Sequence, residues 1–144
     1  MVMILSCQKN GEQAQAITQI SYGTSFGFCL GYCKKDICMK SGGIIYTRSG
    51  WVDTIKTITC TEPLSDENWN AYRSEINSAK FFELPETIGC PDCTDGGAEY
   101  LELIVSSGEI HKVTFEYMNE PDLLKDCIAQ LRQQSEKSIQ CDEN

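Results

Sequence analysis

Two close pairs of cysteines are the residues of this chain best placed to do chemistry. Cys29 and Cys33 stand four apart in Gly27-Phe-Cys-Leu-Gly-Tyr-Cys33, and Cys90 and Cys93 stand three apart in Gly89-Cys-Pro-Asp-Cys93. In an oxidising compartment such thiols pair as disulfides, and a Gly-rich loop gains order from the staple. Pairing within each loop and pairing across the two loops are both open, because spacing does not fix connectivity. As thiolates, Cys29, Cys33, Cys90 and Cys93 can instead share one tetrahedral zinc ion. In that case Cys-Pro-Asp-Cys has the usual C-x2-C spacing and the other pair the less usual C-x3-C.

A third chemistry is redox. Cys-Pro-Asp-Cys is similar to the CPxC of thioredoxin-like oxidoreductases, where a helix N-terminus lowers the pKa of the first cysteine. Here Thr94-Asp-Gly-Gly97 and a strand pattern follow, with no helical period. The reading favoured is structural disulfides without a cofactor; a thiol redox or zinc-binding protein using the same four cysteines is the alternative.

Nine cysteines is an odd number, so one thiol needs a separate fate. The opening Met1-Val-Met-Ile-Leu-Ser-Cys7 resembles the end of a bacterial lipoprotein signal. Ile4 and Leu5 form the apolar part, Ser6 is the small residue and Cys7 the lipid acceptor. The resemblance implies an extracytoplasmic protein anchored at the cell envelope by an N-terminal lipid. A full signal has a basic segment and about 7–15 apolar residues, so the start read here is late or the leader trimmed. Residues 8–15 are polar and aperiodic, the composition of a tether. No run approaches the roughly 18 apolar residues of a membrane-spanning helix.

The remaining cysteines have plainer readings. Cys60 shares a strand face with Ile58, and Cys127 lies on an apolar helix stripe, so a Cys60–Cys127 bridge is open. Cys38 alternates with apolar neighbours and faces solvent, from where it can tie down Cys141.

Other catalytic chemistry is sparse. The single histidine, His111, shares a strand face with Val113, Phe115 and Tyr117, which favours a partly buried structural role. Glu62, Asp66, Glu67, Glu75, Glu83 and Glu86 read as a solvated surface. Asp92 and Asp95 lack calcium-loop spacing. Gly23, Gly27 and Gly31 match no phosphate-binding fingerprint. The net charge of -9 opposes a nucleic-acid backbone and also adhesion to an anionic membrane.

The elements that must position these residues follow from periodicity. Strand patterns run over 16–22, 33–40, 43–48 and 54–61. A helical face, Trp69, Tyr72, Ile76 and Ala79, begins after the cap candidate Ser65 and ends before Pro85. A loop over 86–98 carries Cys90 and Cys93. Strands at 99–106 and 110–117 follow, with Leu101, Leu103 and Val105 on one face. A last helix starts near Pro121, with Leu123, Leu124, Cys127, Ile128 and Leu131 as its apolar stripe. The order ββββαββα predicts an α+β domain over 16–137: one antiparallel sheet of about six strands with two helices on one face. Residues 138–144 read as a polar tail.

Cys29-Leu-Gly-Tyr-Cys33 also supplies a Cys-x-Gly-x-Cys element. With the strand pair, helix and closing hairpin-plus-helix after it, the stretch from Ala16 to Lys137 resembles an uncharacterised family of bacterial envelope domains. That family often follows the element with proline and an aromatic; Lys34 and Lys35 stand here. The resemblance implies the fold and an envelope location, and no reaction. The expected function is a non-catalytic binding or interaction module whose partner is another envelope protein or a small ligand. Its expected contact surface is the aromatic loop of Phe26, Phe28 and Tyr32 beside the Cys90–Cys93 loop. The membrane is expected to be met only through the N-terminal lipid.

Overall fold

The structure, a computed structural model, describes residues 15–141; Cys7 and the tether expected before Gln15 lie outside the described residues. The strands are β1 (Ile17–Ser25), β2 (Lys34–Lys40), β3 (Gly42–Ser49), β4 (Ile58–Leu64), β5 (Thr87–Ile88), β6 (Ala98–Val105) and β7 (Ile110–Glu116). The helices are α1 (Asp66–Ser74), α2 (Ser78–Phe82) and α3 (Lys125–Ser135). The chain is thus α+β, with one sheet ordered β4-β3-β2-β1-β6-β7-β5.

Period-two alternation sets the buried face. Tyr46, Ile37, Tyr22, Leu101 and Val113 form one cross-strand row over β3, β2, β1, β6 and β7. Ile44, Met39, Ile20 and Leu103 form the next. All nine are buried, in one core with Trp69 of α1, Phe81 of α2 and Ile128 and Leu131 of α3. A register shift between Ile17 and Gln19 adds a residue to β1. It turns Ile17 toward the core as well, against the strict alternation read from sequence.

Four features differ from the expectation. The sheet has seven strands: the two-residue β5, inside the expected loop, pairs parallel to β7. The first helix is two, because the Asn77 side chain accepts from the Lys80 N–H at 3.1 Å and starts a new helix. The strand expected from Thr54 begins at Ile58, leaving 50–57 as a loop. The expected tail is packed through Cys141: Glu136–Gln140 forms a 3-10 turn, and Ser138 and Cys141 are buried.

Cys141 is pinned by a bridge to Cys60, so neither the Cys60–Cys127 nor the Cys38–Cys141 pairing forms. The reason is topological. α3 lies across the sheet, and the 3-10 turn after it runs to β3, the neighbour of β4, which carries Cys60. Cys127 stays under α3 as a buried free thiol, and Cys38 stays free and half-buried on the face away from the helices.

Burial also sets the alkaline limit of this fold. It raises Tyr22, Tyr46, Tyr72 and Tyr100 above the ordinary phenol range, reinforced by Glu99 beside Tyr22, Glu62 beside Tyr46 and Asp36 beside Tyr100. Burial pushes the Cys127 thiol up to about 12. All are protonated when folded and ionise sooner when unfolded, so the unfolded chain releases protons first as pH rises. Stability is therefore full below about pH 8 and falls above it, first through Cys127 and then, around pH 10, through the tyrosines. Urea unfolding across pH 8–11 should show this decline, and Tyr100→Phe should make it shallower.

Candidate functional site

The antiparallel order brings four connections to one end of the sheet. The β1–β2 loop (26–33), the β3–β4 loop (50–57), the segment entering β6 (89–97) and the segment leaving β7 (117–121) all lie there. Both cysteine pairs fall in this group, and the loops are bonded to one another. Asp92 is the main clamp. Its carboxylate accepts from the Gly27 N–H at 3.1 and 3.2 Å and from the Gly97 N–H at 3.1 Å. Gly97 has φ of +85° and lies under the Phe26 ring, where a Cβ would collide with the ring carbons; no other residue fits that approach.

The Cys90–Cys93 segment is wound tightly. Asp92, Thr94 and Asp95 all take left-handed backbone conformations, uncommon for residues with a Cβ. The bridge Cys90–Cys93, the bond from the Cys90 N–H to Glu116 at 2.8 Å and the Asp92 clamp hold them there. A second bridge, Cys29–Cys33, closes the β1–β2 loop, with the Phe26 N–H donating to the Cys33 carbonyl at 3.1 Å. The four cysteines thus divide two and two, each pair within its own loop. Among the described residues no group of three or more His, Cys, Asp or Glu side chains converges as a metal site. Only a three-residue 3-10 turn, Cys93–Asp95, follows Cys90, and Glu116 sits beside it. A helix N-terminus that would activate a redox thiolate is not built here.

The aromatic loop divides into supports and tips. Phe26 is half-buried and packs edge-on to Tyr117 at 4.9 Å, and Tyr32 is half-buried beneath the Arg48 guanidinium at 4.8 Å. Only Phe28 of the three expected contact residues stands out, 85% exposed. Leu30, fully exposed, stands beside it in sequence. The β3–β4 loop contributes Trp51 and Val52, each more than half exposed, and Tyr117 and Met118 complete the rim. Trp51 joins the two loops: its indole N–H donates to the Phe26 carbonyl at 2.7 Å, and the Lys34 ammonium lies 4.5 Å above its ring. Six of the ten large exposed apolar side chains among the described residues are gathered at this one end.

Beneath the rim lies a charge that the sequence reading missed. Glu99 of β6 is 1% exposed. It takes two bonds from the Arg132 guanidinium, at 2.7 and 3.2 Å, a short bond from the Tyr22 hydroxyl and one from the Met118 N–H at 2.7 Å. Arg132 also bonds Glu120 at 3.1 Å. Burial works against the Arg132 charge, but the bonds to Glu99 and Glu120 outweigh it and hold the guanidinium charged. The signal was present: Glu99 has the same strand parity as Leu101, Leu103 and Val105, and a carboxylate on a buried face calls for a cation.

His111 bonds no acidic group among the described residues; its Nε2 meets the Leu84 carbonyl at 2.8 Å, and its ring packs on Phe81 and Phe82. What the arrangement presents is a braced loop end with exposed apolar side chains. No family model matches this chain, and no curated protein is significantly similar to it.

Arg132→Met should strand the buried Glu99 charge and lower stability by about 3–5 kcal/mol. The double variant with Glu99→Gln removes that charge and should recover part of the loss. Urea unfolding of the three proteins checks both.

Proposed function

We propose that this chain is an extracytoplasmic, lipid-anchored binding module of the bacterial envelope, and that the loop end of its sheet is the contact surface. The observation that carries the reading is the set of outward apolar side chains, Phe28, Leu30, Trp51 and Val52, on loops braced by two bridges and the Asp92 clamp. A contact surface gains from loops ordered in advance, because less freedom is lost on binding. Three cysteine pairs at bonding distance suit an oxidising compartment. Gln15, where a tether from Cys7 joins, lies at the opposite end of β1 from Phe26, so an anchor leaves the contact end unobstructed. Zinc at Cys29, Cys33, Cys90 and Cys93 would require both local bridges to open.

Native material from envelope fractions tests the reading by mass. The intact chain should be lighter by two hydrogens for each of three bridges than after reduction, and the peptide holding Cys7 should carry acyl mass. Recovery from the cytosol with every thiol reduced and Cys7 bare would overturn it, and stoichiometric zinc in the same sample would favour a metal site instead.

A further inference from the structure

Strand β4 ends the sheet, and its outer edge is open. The backbone groups that point there follow from the register. Lys40 and Gly43 flank the two-residue turn Ser41-Gly42, so they exchange hydrogen bonds, and every second residue of β3 after Gly43 also bonds toward β2. Gly43, Ile45 and Thr47 stand opposite Pro63, Thr61 and Thr59 of β4. Those three residues of β4 therefore turn their backbone groups away from the sheet, while Ile58, Cys60 and Glu62 bond to β3. Pro63 agrees with this: the residue without an N–H stands where the sheet needs none. Thr59 and Thr61 are exposed, and among the described residues nothing bonds their N–H and C=O groups. The strand at the other edge, β5, has two residues, whereas β4 has seven.

An open edge of this kind is completed by another strand. The run Lys56-Thr-Ile-Thr-Cys-Thr-Glu62 complements itself when reversed. Turned about a two-fold axis at Thr59, it sets Lys56 against Glu62, Thr57 against Thr61 and Ile58 against Cys60, each twice. The outward groups of 57, 59 and 61 then meet in about six backbone hydrogen bonds. An axis at Cys60 would set Glu62 against Ile58. An axis at Thr61 would set Glu62 against Cys60 and bring in Pro63, which has no hydrogen to give. Of the registers centred on the outward stretch from Thr59 to Thr61, the one at Thr59 alone opposes the charges. Glu62 is partly exposed, held by the Tyr46 hydroxyl at 2.6 Å and the Lys137 ammonium at 3.6 Å. Lys56 is exposed and makes no ion pair among the described residues.

We propose that two copies of this chain associate through β4, antiparallel about a two-fold axis at Thr59, into one continuous sheet. The same patch serves both copies, as a closed two-fold dimer requires. Pairing extends β4 back over Lys56 and Thr57, which precede it and carry no backbone bonds of their own among the described residues. Threonines facing threonines across the seam suit a sheet surface. The charge of -9 on each copy opposes association, but 0.15 M salt screens it beyond about 8 Å, so the pairs in contact decide. The joined edge is short beside the roughly 800 Å² per partner of a stable complex, so the dimer is reversible and depends on concentration. An axis perpendicular to the sheet points the two loop ends in opposite directions and covers neither. The inference therefore goes beyond the proposed contact surface and does not depend on it.

The test uses the full chain under non-reducing conditions, with Cys7→Ser so that neither an acyl chain nor a bridge at Cys7 joins two copies. At the same salt, sedimentation equilibrium should show monomer and dimer exchanging as concentration rises. Amide hydrogen exchange at Thr59 and Thr61 should slow with concentration, while Cys60, bonded to β3, stays protected throughout. K56E sets two carboxylates face to face in both halves of the seam and should weaken the dimer about tenfold. E62K should weaken it likewise. An equal mixture of K56E and E62K should associate more tightly than either alone, because the mixed dimer restores both pairs. Thr61→Pro removes an outward N–H on an edge that already holds a proline, so it folds, and it should also weaken the dimer. A monomer at every concentration, a dimer whose Thr59 and Thr61 amides exchange freely, or a mixture no tighter than its components each overturns the proposal. Slowed exchange at Thr59 and Thr61 only when an envelope extract is added to monomeric protein gives the edge to another protein, and overturns it too. None of these results alters the contact-surface reading, which fails on its own test.

Discussion

One buried carboxylate governs how the parts of this domain meet. Glu99 lies inside the sheet–helix interface, and a charge there is tolerated only when its partners are complete. Those partners come from three places: Tyr22 on β1, Arg132 on α3 and the Met118 N–H just past β7; the guanidinium is held in turn by Glu120. Sliding α3 along the sheet by one turn would remove Arg132 and strand the charge. The pair therefore fixes the register of α3, and with it the path by which the chain leaves β7. Apolar packing alone, between Leu131 or Ile128 and the sheet, is far more forgiving of such a slip.

That constraint reaches the surface through Tyr117. The residue beside Met118 packs on Phe26, Phe26 lies over Gly97, and Gly97 donates to Asp92, which in turn holds Gly27. The loop end is thus built on the ion pair by a short sequence of direct contacts. The bridges contribute unequally. In the chain-entropy account, closing four residues or three stabilises by roughly 2 kcal/mol, and closing 81 by roughly 4–5 kcal/mol. The two short bridges act mainly on loop shape, and the long one on the fold.

Much of this could be read from sequence, for reasons that vary by residue. Strands β2, β6 and β7 announce themselves because Ile37 and Met39, Leu101 and Leu103, and Val113 and Phe115 alternate cleanly. Ser65 marks the start of α1 because its hydroxyl accepts from the Asn68 N–H. The break at Asn77 went unseen because apolar residues on both sides keep helical spacing while the cap that interrupts them is a single polar side chain. The packing of Cys141 is set by where α3 points, which no local pattern encodes. At the loop end, Phe28 stands exposed, whereas Phe26 and Tyr32 are half-buried and pack on Tyr117 and Arg48. Trp51 was missed because it contacts Phe26 across 25 residues of chain.

The bond between Cys60 and Cys141 has a bearing on how the molecule is made. Cys60 is near the middle of the polypeptide, and its sulfur has no native mate until residue 141 has been added to the chain. Until then the early strands carry an open thiol, and in the unfolded chain Cys38, Cys90 and Cys93 are available as wrong mates. A chain with this wiring has reason to depend on an isomerase that reshuffles premature links, whereas the two local bridges can close as soon as their own loops emerge.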